Sequence, residues 1–193
     1  VRADVRETLK DLTPRVRELG GDALAREAQT RNARIAADNW SVKRESAVLA
    51  ARELGDNTPM APRWLMCKLV DLLPENAIVV DEGITTTNAL LDYFAFTDPK
   101  CFFGNVSGGI GWGIAAAVGV QLAQPERRVV AVIGDGSAMY SIQALWSAAK
   151  HKLPVIFLLA NNGGYRIIKQ RLKAFHGNEE FIGMDFEEPA IDA

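Results

Sequence analysis

The residues best suited to chemistry stand at two points of the chain, each directly after a run of branched apolar residues. Asp135 follows the run 129–133, and Asn162 follows the run 155–160. A carboxylate, a side-chain amide and nearby glycine carbonyls are hard oxygen ligands, which Mg²⁺ and Ca²⁺ prefer and Zn²⁺ does not. If the fold brings them together, these two side chains predict a divalent metal site.

The elements around these residues indicate that they do meet. The two apolar runs flank a helical pattern at 141–150, which is typical of a strand–helix–strand unit. Such a crossover makes its strands parallel, so the loops after both strands lie at the same edge of the sheet. Open α/β sheets bind their ligands at this edge. We therefore predict an α/β fold in which Asp135 and Asn162 converge.

The glycines beside Asp135 indicate that an anion binds next to the metal. Gly134 and Gly136 leave room for a bulky anion at the backbone, and the helix that follows would offer free N–H groups and a positive dipole end. Ser137 and Tyr140 would add hydroxyl groups in the first turn of that helix. The combination predicts a metal-bridged diphosphate site.

The helical pattern after this motif also has an apolar side. Its stripe consists of Ile142, Leu145, Trp146 and Ala149, at the i, i+3, i+4 and i+7 spacing of a helix that packs on a sheet. We therefore expect Trp146 to lie in the core.

Upstream of this unit, the pattern predicts a helix from Pro62, a strand at 76–80 and a helix that begins at the threonine run 85–87. The threonines either cap this helix or contact a ligand at the strand end, and the residues leave both open. A glycine-rich loop at 104–113 precedes a further helix of small residues.

The first 54 residues are charged and predict helices, with a break at Gly20 and Gly21. The stretch 55–62 contains glycine, two prolines and short polar side chains, as linkers do. We interpret the segment before it as too small to form a core of its own.

Composition excludes several classes of function. A chain of 193 residues, 48% of them hydrophobic, is enough for one ordinary domain. A net charge of −2 argues against nucleic acid or an anionic membrane as the main partner. The two cysteines form no disulfide framework, so a cytoplasmic location is expected. No apolar run is long enough to span a bilayer.

The alternatives to an enzyme with a diphosphate site are a non-catalytic binding module and a Rossmann-type domain that binds NAD or FAD. The stretch 111–116 fits the dinucleotide fingerprint G-x-G-x-x-A. The residues before it, 103–107, do not form the continuous apolar strand that such a turn should follow. The fingerprint also gives no reason for the glycines around Asp135, so the diphosphate interpretation is preferred.

The motif 134–137, followed by Asn161 and Asn162, resembles the thiamine diphosphate (ThDP) signature of the 2-keto acid decarboxylase and acetolactate synthase superfamily. The resemblance extends through 108–111, 119–127 and 140–149, and it is greatest for proteins like benzoylformate decarboxylase. It implies a three-layer, doubly wound, mainly parallel sheet. Residues 58–193 would be a pyrophosphate-binding domain truncated at its C-terminus, and residues 1–57 the tail of a central domain plus linker.

The resemblance also implies a set of site residues. Mg²⁺ would be held by the side chains of Asp135 and Asn162 and by the backbone oxygen of Gly164. Ile110 would be the bulky residue that holds the cofactor bent, although without the resemblance it would be an ordinary core residue. The implied cofactor contacts are Gly83, Ile84, Thr85, Gly108, Gly109, Ile110, Gly134, Gly136, Ser137, Tyr140, Gly164 and Tyr165.

The implied activity is that of a ThDP-dependent lyase or transferase acting on 2-keto acids, by decarboxylation or by acetolactate synthase-like carboligation. No catalytic residue is expected in this chain. The activating glutamate would lie in a pyrimidine-binding domain of a partner subunit, within a homodimer or homotetramer. The chain alone is therefore expected to be inactive.

Overall fold

A computed structural model describes residues 2–186, which fall into two compact units, one up to Ser46 and one from Ala47 onwards. The first unit contains α1 (Val5–Ala37) and the start of α2 (Trp40–Arg52). Helix α1 is kinked at Gly21, whose φ of 50° lies in the region that favours glycine. The predicted helical break at this point is confirmed.

The second unit is built on a sheet of four parallel strands in the order β2-β1-β3-β4. Its elements are α3 (Pro62–Leu72), β1 (Ile78–Glu82), α4 (Thr85–Tyr93), β2 (Phe102–Gly104), α5 (Gly113–Ala123), β3 (Val129–Gly134), α6 (Asp135–Met139), α7 (Ala144–Lys150), β4 (Ile156–Ala160) and α8 (Arg166–His176).

Helices cover both faces of this sheet. On one face, Met66 of α3 and Leu90 of α4 pack in a core with Val79. On the other face, Ile114 of α5 packs in a second core with Val80. Strand β1 and the first five residues of β3 are fully buried, which is why these strands are continuous apolar runs rather than alternating ones. The predicted three-layer α/β fold is confirmed.

The predicted start of the helix at 141–150 is wrong. The chain turns into the short helix α6 at Asp135 itself, and α7 begins only at Ala144. Between them, successive backbone bonds from Ala144, Leu145 and Trp146 reach back three residues rather than four. Ser137 is therefore buried inside α6, and Tyr140 is its C-cap.

The predicted burial of Trp146 is also wrong, because this side chain is 66% exposed. Its ring lies under Lys150, whose Nζ is 4.7 Å from the ring centroid. The tighter turn before α7 has 3.0 residues per turn and shifts the phase of the stripe. Ala148 is buried instead of Ala149, while Ile142 and Leu145 pack on the core as expected.

Two strands also differ from the predictions. Strand β1 extends past 80, so that Asp81 and Glu82 pair with β3 and are both 3% exposed. Strand β2 lies at the edge of the sheet, just before the glycine-rich loop, and was not predicted because it is only three residues long. Among residues 2–186, no helix combines the length and apolar character needed to cross a membrane.

Candidate functional site

The segments that follow strands β3 and β4 meet at Asp135. Its carboxylate is 3% exposed and accepts backbone N–H bonds from Asn162 at 3.1 Å and from Gly163 at 2.9 Å. A third N–H, from Gly136, donates to the other carboxylate oxygen at 2.9 Å. The predicted convergence is confirmed.

In the part of the chain that the structure describes, no cationic side chain balances the charge of Asp135. No lysine or arginine within residues 2–186 forms an ion pair with this carboxylate. Burying a charge is costly unless it is paired or bound to a metal. The side chain of Asn162 is exposed at the same place, so an amide oxygen and a buried carboxylate are both available to a cation.

A cavity of about 180 Å³ opens beside Asp135 at the carboxyl ends of the strands. Most of the residues implied by the family resemblance line it, namely Gly83, Ile84, Thr85, Ile110, Gly134, Asp135, Gly136, Ser137, Asn162, Gly164 and Tyr165. Gly108 lines a second cavity of about 350 Å³ next to it. Gly109 and Tyr140 line neither of these two cavities.

Tyr140 is nevertheless close to the first cavity. It is 58% exposed, and its hydroxyl shares a hydrogen bond with the hydroxyl of Tyr165. That bond is the main cause that raises the pKa of Tyr165, and burial adds to it. Like any tyrosine, Tyr165 keeps its proton at neutral pH, so its hydroxyl can donate a hydrogen bond.

Besides the short helix α6, which starts at Asp135, two helices begin at the first cavity, and neither of these two has a side-chain cap. Gly83, Ile84 and Thr85 lead into α4, and Tyr165 and Arg166 lead into α8. Uncapped helix starts attract anions through free N–H groups and the helix dipole. The interpretation of the threonine run as simple caps is wrong, because the N-cap of α4 is an isoleucine.

The N-cap residue of α4, Ile84, has an unusual backbone. Its φ of 46° and ψ of −79° are outside the regions that β-branched residues normally occupy. Such strain costs about 1–3 kcal/mol and is concentrated at functional sites. Ile84 lines both cavities, as do Ile110 and Glu82.

Ile110 forms part of the wall between the two cavities. Its side chain is 36% exposed, so it is not the ordinary core residue that its type alone would predict. The segment that carries it runs from Gly108 to Gly111, both of which have positive φ. The two cavities on either side of Ile110 were not evident from the sequence.

Glu82 has a role that the sequence did not indicate. Its buried carboxylate accepts the backbone N–H groups of Gly111, Trp112 and Gly113 at 2.6, 3.2 and 2.5 Å. The start of α5 is thus occupied by an anion from the protein itself. The only sequence signal for it is an acid at a strand end, ahead of a Gly-x-Gly helix start.

This contact explains the glycines that fit the dinucleotide fingerprint. A Cβ at Gly113 would lie 2.4 Å from the Cδ1 of Ile133 and 2.8 Å from the Oε2 of Glu82. A Cβ at Gly111 would lie 2.4 Å from the Cβ of Tyr140. The spacing of the glycines follows from close packing and from Glu82, and the helix start is not free for a dinucleotide phosphate. The NAD or FAD alternative is therefore not favoured.

Asp81, the residue before Glu82, is a second buried carboxylate that the sequence did not single out. It accepts a hydrogen bond from the Thr87 hydroxyl at 2.6 Å and from the Gly83 N–H at 3.3 Å. Burial raises the pKa of Asp81 above its ordinary value, and the nearby charge of Glu82 adds to this. Ionised Asp81 therefore lowers the stability of the fold.

This pKa predicts the pH dependence of an Asp81→Asn variant. The cost of the charge is absent below the unfolded pKa, about 3.9, and grows as the pH rises through the raised folded value. Asparagine removes the charge and can still accept the Thr87 bond. The difference in Tm between the variant and the unmodified chain should therefore become more favourable to the variant from pH 4 to pH 7.

The control for this experiment is Asp98→Asn. Bonds from the Lys100 N–H and from Arg127 lower the pKa of Asp98, so its charge stabilises the fold above its unfolded pKa. Its replacement should lower the Tm at pH 7 and have less effect as the pH falls. A Tm difference for Asp81→Asn that does not change with pH would contradict the prediction.

Comparison with known proteins supports the interpretation of this edge of the sheet. Residues 83–193 match the family described as thiamine pyrophosphate enzyme, C-terminal TPP binding domain. The benzoylformate decarboxylase of Pseudomonas aeruginosa is 41% identical over 111 residues, which are 58% of this chain and 21% of that protein.

Two solved structures are also similar. The thiamine diphosphate-dependent 4-hydroxybenzoylformate decarboxylase of Rhodococcus jostii RHA1 aligns with a TM-score of 0.63 and 38% identity, over 66% of this chain and 24% of that one. The benzoylformate decarboxylase of Polynucleobacter necessarius aligns with a TM-score of 0.64 and 29% identity, over 70% and 26%.

The present chain thus spans only about a fifth of the curated relative and about a quarter of the solved ones. The match covers more than half of this chain and includes both Asp135 and Asn162. The predicted family is confirmed: the chain belongs to the thiamine pyrophosphate enzymes and contains their C-terminal TPP binding domain.

Proposed function

We propose that this chain binds thiamine diphosphate through Mg²⁺ and forms the diphosphate-binding part of an enzyme that decarboxylates 2-keto acids. The observation that carries the proposal is the buried carboxylate of Asp135, which has no cationic partner within residues 2–186 and faces a cavity where the uncapped helices α4 and α8 begin. A buried carboxylate at the edge of a cavity can bind a cation there, and the uncapped helix starts beside it favour an anion.

The donors at this place fit Mg²⁺. The carboxylate of Asp135, the side-chain oxygen of Asn162 and the backbone oxygen of Gly164 would hold the ion, all of them hard oxygen ligands. Mg²⁺ usually keeps further positions for water and for substrate phosphates. The diphosphate of the cofactor would fill some of these positions.

The diphosphate would lie against the starts of α4 and α8. Thr85 would present its backbone N–H there, next to Gly83, whose own N–H donates to Asp81, and Ser137 and Tyr165 would add hydroxyl groups. Arg166 also lines the cavity, and no carboxylate among residues 2–186 pairs with it. A positive side chain and two helix dipoles together would favour an anion with more than one charge.

The rest of the cofactor would extend past Ile110. The two cavities lie on either side of this side chain, the first beside Asp135 and the second beside Gly108. A bent molecule with two rings could occupy both. When bound, thiamine diphosphate supplies the nucleophilic carbon and the electron sink for decarboxylation. The chain's own part is to bind the diphosphate, orient the rings and offer the Tyr165 hydroxyl as a hydrogen-bond donor.

We propose that a pyrimidine-binding domain of a partner subunit completes the site, within a homodimer or homotetramer. Glu82 is held by three backbone N–H groups and is not available to activate the cofactor. Exposed apolar residues lie close in the chain to residues that line the cavities, with Val106 at 100%, Met139 at 51% and Tyr140 at 58%. Exposed apolar surface of this kind is typical of an interface.

The proposal is tested by calorimetric titration of the chain with ThDP, with and without Mg²⁺, and with NAD⁺ as a comparison. We expect binding of ThDP only when Mg²⁺ is present and no binding of NAD⁺. We also expect no CO₂ release from benzoylformate or pyruvate by this chain alone. Binding of NAD⁺, or ThDP binding that is unchanged by EDTA, would overturn the assignment, and turnover by the chain alone would overturn the division between subunits.

A further inference from the structure

Glu82 connects the end of a central strand to the loop that carries Ile110. Its carboxylate is 3% exposed and binds three successive backbone N–H groups that lie 29 to 31 residues further along the chain. No lysine or arginine within residues 2–186 forms an ion pair with it. The charge is balanced by these N–H groups and by the dipole of α5, which makes the bonds charge-assisted.

We infer that Glu82 is a positioning residue for the cofactor: its carboxylate fixes the loop 108–111 and thereby holds Ile110 between the two cavities. This inference rests on the proposed function. It assigns to Glu82 a task other than catalysis, since the carboxylate acts on the cofactor only through the loop.

Polar tethers hold the loop at both of its ends, in addition to the close packing of Gly111 on Tyr140. At its far end, the side chain of Asn105 accepts the Gly108 N–H at 3.0 Å and donates to the carbonyl of Gly109. At its near end, Glu82 holds Gly111. Ile110 lies between these tethers, and the neighbouring Val106 is fully exposed. Loss of the Glu82 tether should therefore release Ile110.

The helix that follows does not depend on Glu82 in the same way. Ile114 and Ala117 of α5 are buried in the core, and Gln121 at its other end is also buried. The Gln121 amide donates to the carbonyls of Gln124 and Arg127, and its oxygen accepts the Val129 N–H. The helix is thus held along its length, and removing the charge at its start should loosen the loop more than the helix.

The test is Glu82→Gln, which keeps the shape of the side chain but turns one acceptor oxygen into an amide that faces N–H donors. The N–H groups of residues 111–113 should exchange with solvent about tenfold faster, and ThDP with Mg²⁺ should bind about tenfold more weakly, a range typical when a group that orients a contacting residue is lost. Inorganic pyrophosphate with Mg²⁺ should bind as before, since it would be held by the metal ligands and the helix starts and has no ring for Ile110 to position.

The matched control is Gln121→Leu, which removes buried hydrogen bonds at the other end of the same helix and should leave ThDP binding unchanged. Unchanged exchange at 111–113, unchanged ThDP affinity, or equal weakening of ThDP and pyrophosphate in Glu82→Gln would each overturn the inference. Failure of the unmodified chain to bind ThDP would overturn the proposed function, and this inference with it. If the unmodified chain binds ThDP but Glu82→Gln shows none of the predicted effects, only the inference about Glu82 is overturned.

Discussion

Replacing Asp135 by asparagine is expected to abolish Mg²⁺-dependent binding of thiamine diphosphate while the sheet stays folded. Asparagine keeps the shape of the side chain and one oxygen for the backbone N–H groups of Asn162 and Gly163, but it removes the charge. Among residues 2–186, the only other carboxylate that lines the cavity is Glu82, which is bound to the start of α5. The loss of affinity should exceed the roughly 100-fold that outer-shell partners of a metal cost at most.

Compared with Asp135→Asn, the variant Asn162→Ala is expected to weaken metal binding with less effect on folding. The backbone N–H of Asn162, not its side chain, bonds to Asp135, so alanine leaves that bond in place. The variant loses only an exposed amide and should unfold at the same temperature as the unmodified chain. It should nevertheless bind ThDP with Mg²⁺ much more weakly.

Both variants are measured by calorimetric titration with ThDP and Mg²⁺, and by thermal unfolding without ligand. Asp98→Asn is the control, because it breaks the ion pair with Arg127 and lies outside both cavities. It should lower the Tm without changing ThDP affinity. Unchanged affinity in a folded Asp135 or Asn162 variant would refute the metal assignment.

The second large effect is expected at the start of α5. In Gly113→Ala the new Cβ would lie 2.4 Å from the Cδ1 of Ile133, in a buried position where neither neighbour can move freely. Overpacking of this kind typically costs about 1–3 kcal/mol of the free energy of unfolding. Because the Cβ would also lie 2.8 Å from the Oε2 of Glu82, the loop at Ile110 should be displaced as well.

Gly119→Ala is the matched control for this substitution. Gly119 lies in the same helix, is exposed, and has no atom within 4 Å of an added Cβ. Alanine in a helix interior should stabilise it by about 0.5–1 kcal/mol relative to glycine. Chemical denaturation of both variants should therefore give changes of opposite sign. A Gly113→Ala variant as stable as Gly119→Ala would show that the close packing at α5 is not a constraint.

The sequence by itself determined the sheet edge at which the site lies. Two branched apolar runs around a helical pattern could only be parallel strands joined by a crossover, and parallel strands bring their following loops to one edge. For this reason the meeting of Asp135 with Asn162 could be predicted across an intervening helix. The family could also be identified, because the residues that carry it lie in short, contiguous motifs.

Only the tertiary structure decided what surrounds this edge. The partners of Glu82 are about thirty residues away, and nothing next to Glu82 in the chain distinguishes a buried acid from a surface one. Trp146 is exposed because a single tighter turn changes the phase of α7, which periodicity alone does not show. The strain at Ile84 and the two cavities beside Ile110 arise because separate loops pack against one another, and such contacts leave no local pattern in the sequence.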